Sequence, residues 1–154
     1  MRRLIYTYAI VLALTASMPA DNATARIEGN SHIDGAVQFP QTKWRNVRHT
    51  LRVHIPQGSR PLSHLYINVP EGLTASNLTV RDNLGIKVDA NISIKSNTVG
   101  VDFLQPVAGE STLKIDLNNV IIRGVSNGWL YRVSAKVVGL EADIPIGIAQ
   151  IRVY

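Results

Sequence analysis

Hydrophobic and polar residues alternate along most of this chain, and the clearest example is the stretch 47–55. The apolar residues there are Val47, Leu51, Val53 and Ile55, and the polar residues between them include Arg48, Thr50, Arg52 and His54. A period of two places successive side chains on opposite faces of an extended strand. One face of this strand is therefore expected to be buried and the other to be in contact with water.

Further extended segments follow downstream, most of them alternating and separated by Pro, Gly and Asn: 62–69, 78–80, 86–94, 99–103, 113–117, 129–138 and 144–154. Residues 120–122 are apolar throughout. A further short strand is expected to include Ile33, Val37 and Phe39, and Asn118-Asn119 is expected to interrupt the segment that begins at Leu113. No stretch has a convincing helical period, although residues 135–142 could form a short helix instead of a strand end. Strands at a spacing of about 8–12 residues are typical of a sandwich or barrel.

A strand with one apolar face needs a second layer to cover that face. The pattern therefore predicts an all-β fold, a mainly antiparallel β-sandwich that is immunoglobulin-like in the loose sense. It also predicts that four residues on apolar strand faces share one core: Leu51, Val53, Ile115 and Val133.

The N-terminus has the features of an export signal. Arg2 and Arg3 precede an apolar run at residues 4–16, which is short for a membrane span of about 20 residues. Ala23-Thr24-Ala25 follows as a small-x-small cleavage site. We therefore predict a signal peptide over residues 1–25 and a single β-sandwich domain over residues 26–154. An uncleaved membrane anchor is the alternative.

The composition is that of an exported, mildly basic protein. The chain has no cysteine, so its stability depends on packing and hydrogen bonds alone, and its formal net charge is +5. A basic exported protein is suited to anionic surfaces such as glycans, phosphates or lipid headgroups. Solubility alone is an alternative explanation of the charge.

Arg48, Arg52 and His54 are the predicted binding residues. Their even spacing places them on one strand face, about 6.5–13 Å apart, so an anionic polymer could lie along them. The alternative is a solvated face that deters edge pairing. Nucleic acid is not an expected partner, because the chain is exported and aromatic residues do not interleave with these charges.

No residue set predicts catalysis, a metal or a cofactor. Gly124-Val125-Ser126-Asn127-Gly128 matches a hydrolase nucleophile elbow, but that motif needs a following helix and a later histidine, and the last histidine is His64. The four histidines have no standard ligand spacing, although His32 with Asp34 is a conceivable ligand pair. His49 is expected to be partly buried at the start of its strand.

Several segments resemble a family of secreted cyanobacterial proteins, domain of unknown function 2808. They are Val69-Pro70-Glu71-Gly72, the aromatic strand Trp129-Leu130-Tyr131-Arg132-Val133 and the extended end over residues 147–154. The resemblance extends from Leu51 to Tyr154 and implies an exported cyanobacterial protein. It implies no catalytic residues.

The function predicted from the sequence is a non-catalytic module of the cell envelope, periplasm or extracellular space. Its expected partner is an envelope polysaccharide, an anionic surface or another envelope protein, with no cofactor. Two alternatives are a cell-wall glycan hydrolase, which would need two convergent carboxylates, and a structural subunit of an envelope assembly, which an exposed apolar sheet edge would support.

We predict that the mature protein begins at Arg26, because Ala23-Thr24-Ala25 follows the apolar run. N-terminal sequencing of exported protein tests this cleavage site. Recovery of an intact Met1 on a membrane-bound form would contradict it.

Overall fold

The computed structural model describes residues 30–43 and 46–154, and the predicted signal peptide lies outside these residues. Within them the chain forms ten strands: β1 (His32–Phe39), β2 (Asn46–Ile55), β3 (Leu62–Asn68), β4 (Leu73–Thr74), β5 (Asn77–Arg81), β6 (Ala90–Lys95), β7 (Thr98–Val107), β8 (Ser111–Ile122), β9 (Gly128–Val137) and β10 (Ile144–Arg152). None of the described residues forms a helix long and apolar enough to cross a membrane.

The strands form two antiparallel sheets. The first sheet has the order β1-β2-β8, and the far side of β8 pairs with both β4 and β5. The second sheet has the order β10-β9-β3-β7-β6. The inner faces of the two sheets pack together, so the fold is a β-sandwich of the immunoglobulin-like kind, as the alternating pattern predicted.

The core lies between the sheets and contains the four residues that the pattern assigned to it. Leu51, Val53 and Ile115 are fully buried, and Val133 is nearly so. Each belongs to a strand whose exposed and buried positions alternate. The register pairs Leu51 with Ile115 across β2 and β8, so the two strands present their apolar faces on the same side.

In β8 the structure differs from the sequence prediction, and in β1 and at the end of β9 it adds detail to the predicted strands. In β1, a bulge between Ile33 and Gly35 adds one residue, so Ile33 faces inward while Val37 and Phe39 face outward. In β8, the strand continues through Asn118-Asn119, where Asn119 takes a positive φ of 51°. The segment 135–142 contains the end of β9, at Val137, and no helix.

A chain of buried polar side chains crosses the sandwich. His49 Nδ1 lies 2.5 Å from the Tyr131 hydroxyl, and His49 Nε2 lies 2.8 Å from Gln38 Oε1. The Gln38 amide nitrogen donates to the carbonyl oxygens of Pro40 and Thr42, at 3.1 and 2.6 Å. Because Gln38 Oε1 can only accept, neutral His49 donates from Nε2 and accepts at Nδ1 from Tyr131.

These hydrogen bonds give both ring nitrogens of His49 a partner. The sequence predicted that this histidine would be only partly buried. His49 is fully buried, and burial lowers its pKa from 6.5 to about 4. Burial also raises the pKa of the Tyr131 phenol far above its usual range. Both side chains are therefore neutral at physiological pH, as their buried positions require.

We predict that acid destabilises the fold through His49. Because the pKa is about 4 in the folded chain and 6.5 in the unfolded chain, stability is complete above pH 6.5 and falls as the pH approaches 4. The loss is roughly 3 kcal/mol. Chemical denaturation of the parent and of His49→Gln between pH 7.5 and 4 should show a steeper loss for the parent. An imidazole NMR titration of His49 with a midpoint near 6.5 would contradict the prediction.

Candidate anion-binding face

The three predicted binding residues lie on the outer face of the first sheet. Arg48 and Arg52 are exposed, and His54 is half-buried. Their inward neighbours in β2 form part of the core. The strand therefore presents these side chains on its wet face, which is the placement that the sequence predicted.

The register adds cations from two other strands to this face. Arg52 of β2 lies directly opposite Lys114 of β8, and Lys114 lies directly opposite Arg81 of β5. An isolated bridge beyond β5 pairs Arg81 with Lys87. We call Arg52, Lys114, Arg81 and Lys87 the cationic row. All four side chains are exposed, and at the usual strand spacing of about 4.8 Å the row crosses the sheet at right angles to the strands.

Both arginines of β2 lean toward β1. The Arg52 guanidinium passes over Gly35, because a Cβ placed on that glycine would lie 3.0 Å from Arg52 Nη2. The Arg48 guanidinium carbon lies 5.4 Å from the centre of the Phe39 ring, in a cation–π contact. The Arg52 charge is thereby directed away from Lys114.

Two carboxylates near the row, those of Asp116 and Asp82, accept hydrogen bonds within the fold. Asp116 lies two residues beyond Lys114 on the same face, is only 5% exposed and accepts a hydrogen bond from the Thr50 hydroxyl at 2.6 Å. Asp82 follows Arg81 and accepts two backbone N–H groups of its turn, from Leu84 and Ile86. Among residues 30–43 and 46–154, the ion pairs are His64–Asp102 and Lys136–Asp143, and neither includes a member of the cationic row.

A shallow groove of about 290 Å³ continues this face near Arg48. Its lining combines an aromatic ring, a guanidinium and three amide side chains: Phe39, Arg48, Asn46, Asn118 and Asn119, together with Val47. Phe39 is 62% exposed, so the ring is open to solvent. Amides and an exposed ring are groups that can bind the hydroxyls and C–H faces of a sugar.

Three of the four residues of the cationic row were not among the binding residues predicted from the sequence. Lys114 was visible as a polar residue between Leu113 and Ile115, and Arg81 and Lys87 flank a recognisable turn. The missing information was the register, which decides that these cations line up with Arg52. Local alternation shows which face a residue occupies, but it does not show which residues of other strands are opposite.

The outer face of the second sheet carries a Ser-His-Asp set. A bulge in β3 between Leu62 and His64 turns both Ser63 and His64 outward. His64 Nε2 lies 3.0 Å from Asp102 Oδ1, and His64 Nδ1 lies 3.0 Å from Ser63 Oγ. The Ser63 hydroxyl, however, donates to the carbonyl oxygen of Lys136 at 2.9 Å, so its proton is not directed at the histidine.

The sequence matching a nucleophile elbow forms a closed turn. The Ser126 hydroxyl donates to the Gly128 carbonyl at 2.7 Å and accepts from the Gly128 N–H. The following element is the strand β9 and not a helix. In the part of the chain that the structure describes, no three side chains from His, Cys, Asp or Glu converge as metal ligands.

Comparison with known proteins gives the fold. No protein-family model matches the chain, and no curated protein matches it in sequence. In structure it is similar to the N-terminal domain of a Streptococcus gordonii adhesin, with 16% identity and a TM-score of 0.52, over 82% of this chain and 32% of that chain. It is also similar to BslA, a bacterial hydrophobin, with 17% identity and a TM-score of 0.51, over 82% of this chain and 95% of that chain.

A collagen-binding domain from a Staphylococcus aureus adhesin aligns with 11% identity and a TM-score of 0.48, over 79% of this chain and 96% of that domain. The chain thus spans about a third of the Streptococcus adhesin chain and nearly all of BslA. At these identities, what the chain shares with the adhesin domain and with BslA is the fold.

We predict that the cationic row lowers the stability of the fold. Like charges directly opposite each other on neighbouring strands are destabilising, so Lys114→Gln should raise the free energy of unfolding by about 0.2–1 kcal/mol. Chemical denaturation at low and high salt measures this gain, which should shrink as salt screens the charges. Lys95→Gln is the control, because Lys95 is exposed on the second sheet opposite Thr98. An equal effect of the two substitutions would contradict repulsion within the row.

Proposed function

We propose that this chain is an exported, non-catalytic binding module that holds an anionic polysaccharide of the cell envelope or extracellular space on the outer face of its first sheet. The observation that supports this proposal is the cationic row, in which Arg52, Lys114 and Arg81 lie directly opposite one another without an ion-pair partner among the described residues. A bound polyanion would relieve the repulsion that this arrangement creates.

The geometry of the row favours a linear polymer. The backbone positions of the four cationic residues follow a line across the sheet, each about 4.8 Å from the next, and the Arg52 guanidinium lies displaced toward β1. A chain of acidic sugars can place its charges along such a line. The polymer therefore lies across the strands, and Arg48 and His54 flank its path. The groove at Phe39 and Arg48 lies on the same face, about 13 Å along β2 from the row, so its ring and amide groups stand beside this path.

The structural neighbours support a role at a cell surface. One is a domain of an adhesin and another is a bacterial hydrophobin, and both share this fold. The predicted signal peptide is in accord with that location. Membership of the cyanobacterial secreted family stays a prediction.

One observation favours a second candidate, a structural subunit of an envelope assembly. The edge strand β6 carries Ile92 and Ile94 on the inner side of the second sheet, where they are 39% and 41% exposed. Leu84 and Ile86 are also exposed, in the turn beyond β5. An unpaired edge with apolar side chains is a template for strand addition. Concentration-dependent association in sedimentation experiments would favour this candidate.

We predict that Arg81→Gln with Lys114→Gln weakens binding to polygalacturonate, used as a linear acidic polysaccharide. The measurement is a titration of the full chain at several salt concentrations, with neutral dextran as the reference polymer. Each released counterion contributes to the salt dependence, so log affinity should fall less steeply with log salt in the double variant than in the parent. The denaturation midpoint should not decrease, because both side chains are exposed.

The matched control is Lys95→Gln with Arg132→Gln, which removes two exposed charges from the second sheet. This control should bind polygalacturonate nearly as well as the parent. If both double variants lost affinity for polygalacturonate equally, binding would depend on net charge alone. That result would overturn the assignment of the binding site to the first sheet. Binding only to vesicles that contain anionic lipid would replace the polysaccharide by a membrane.

A further inference from the structure

Two histidines from neighbouring strands lie directly opposite each other at one end of the first sheet's outer face. The register pairs His32 of β1 with His54 of β2. Their ring centroids are 5.2 Å apart, and the ring planes meet at 60°. Residues directly opposite in an antiparallel pair have Cβ atoms about 4.5–5.5 Å apart, so two imidazoles there can reach one ion.

In both rings of this pair, Nδ1 is the nitrogen that faces a hydrogen-bonding oxygen, and Nε2 has no hydrogen-bond partner among the described residues. His32 Nδ1 lies 3.3 Å from the carbonyl oxygen of Asn30, and His54 Nδ1 lies 3.2 Å from the hydroxyl oxygen of Thr112. A carbonyl oxygen can only accept, so the proton of neutral His32 is on Nδ1, and the Nε2 lone pair is available. The same holds for His54 when the Thr112 hydroxyl accepts. Metal-binding histidines are held by this type of bond, from the other ring nitrogen to an oxygen.

We propose that His32 and His54 chelate a divalent transition metal ion, Zn²⁺, Ni²⁺ or Cu²⁺, through their Nε2 atoms. Imidazole suits these ions, whereas Ca²⁺ and Mg²⁺ require oxygen ligands. No third His, Cys, Asp or Glu of the described residues joins the pair, so water or an oxygen of a bound molecule fills the remaining positions. This inference does not depend on polysaccharide binding.

The other two histidines do not have this arrangement. Both ring nitrogens of His49 are hydrogen-bonded inside the core, to Tyr131 and Gln38. His64 Nε2 is bonded to Asp102 on the second sheet. His32 and His54 are therefore the pair that can chelate a metal ion. His64, which is also accessible, serves as an internal control for binding at a single histidine.

The charges around the two histidines affect which metal ions the pair can bind. Arg52 lies two positions along β2 from His54, and its positive charge opposes any cation nearby. Asp34, in the bulge of β1, carries the opposite charge. Because the charges of Arg52 and Asp34 nearly cancel, an ion bound mainly by electrostatic attraction gains little binding free energy at this site. A metal ion that bonds to the histidine nitrogens is less sensitive to the net charge around it.

Zinc chloride added to the untagged full chain tests the proposal. At neutral pH, the imidazole NMR signals of His32 and His54 should shift together and saturate at one equivalent of Zn²⁺, whereas the signal of His64 should stay in place. Calorimetry should give a stoichiometry of one, and binding should weaken in mild acid because an imidazole must lose its proton to coordinate a metal.

Variants separate chelation from binding at any exposed histidine. Thr112→Val keeps both imidazoles and removes the partner of His54 Nδ1, so affinity should fall about tenfold. His32→Ala and His54→Ala should each cost more than that, and His64→Ala should bind as the parent does. A shift of only one of the two paired histidines, an equal loss in His64→Ala, or no response to zinc would overturn the proposal.

Discussion

The pairing of β2 with β8 is the constraint on which the rest of the structure depends. Nine residue pairs connect the two strands, and one register places Leu51 opposite Ile115 on the inner face and Arg52 opposite Lys114 on the outer face. Because side chains alternate, burial of the inner residues determines which residues meet on the wet side. A slip by one residue would put the arginines into the core, so hydrophobic burial is also the force that assembles the cations.

The buried hydrogen bonds of Gln38, His49 and Tyr131 connect three strands from the two sheets. They link β1 at the edge of the first sheet to β2 beside it and to β9 in the second sheet. Both ring nitrogens of His49 and both ends of the Gln38 amide have compatible partners, so the arrangement is specific as well as neutral. These bonds add to the backbone pairing that holds the edge strand, on which Phe39 and His32 are exposed to solvent.

The sequence predicted the fold class and the core because both depend on local alternation. Val53 and Val133 could be assigned to the core without any knowledge of their partners. It did not predict the faces of β1, because one extra residue in the bulge reverses the alternation, so Ile33 and Val37 point in opposite directions. Nor did it predict the cationic row or the contact between His32 and His54. Those pairs depend on long-range register, to which residues far apart in the chain contribute.

Gly35 shows how a side chain that is absent can set the distance between charges. It is opposite Arg52, and a methyl group there would lie 3.0 Å from Arg52 Nη2, which is closer than an ordinary van der Waals contact. An alanine would therefore displace the guanidinium by a few tenths of an ångström. The missing side chain leaves an open path over the edge strand, along which a long arginine extends and carries its charge away from the neighbouring lysine.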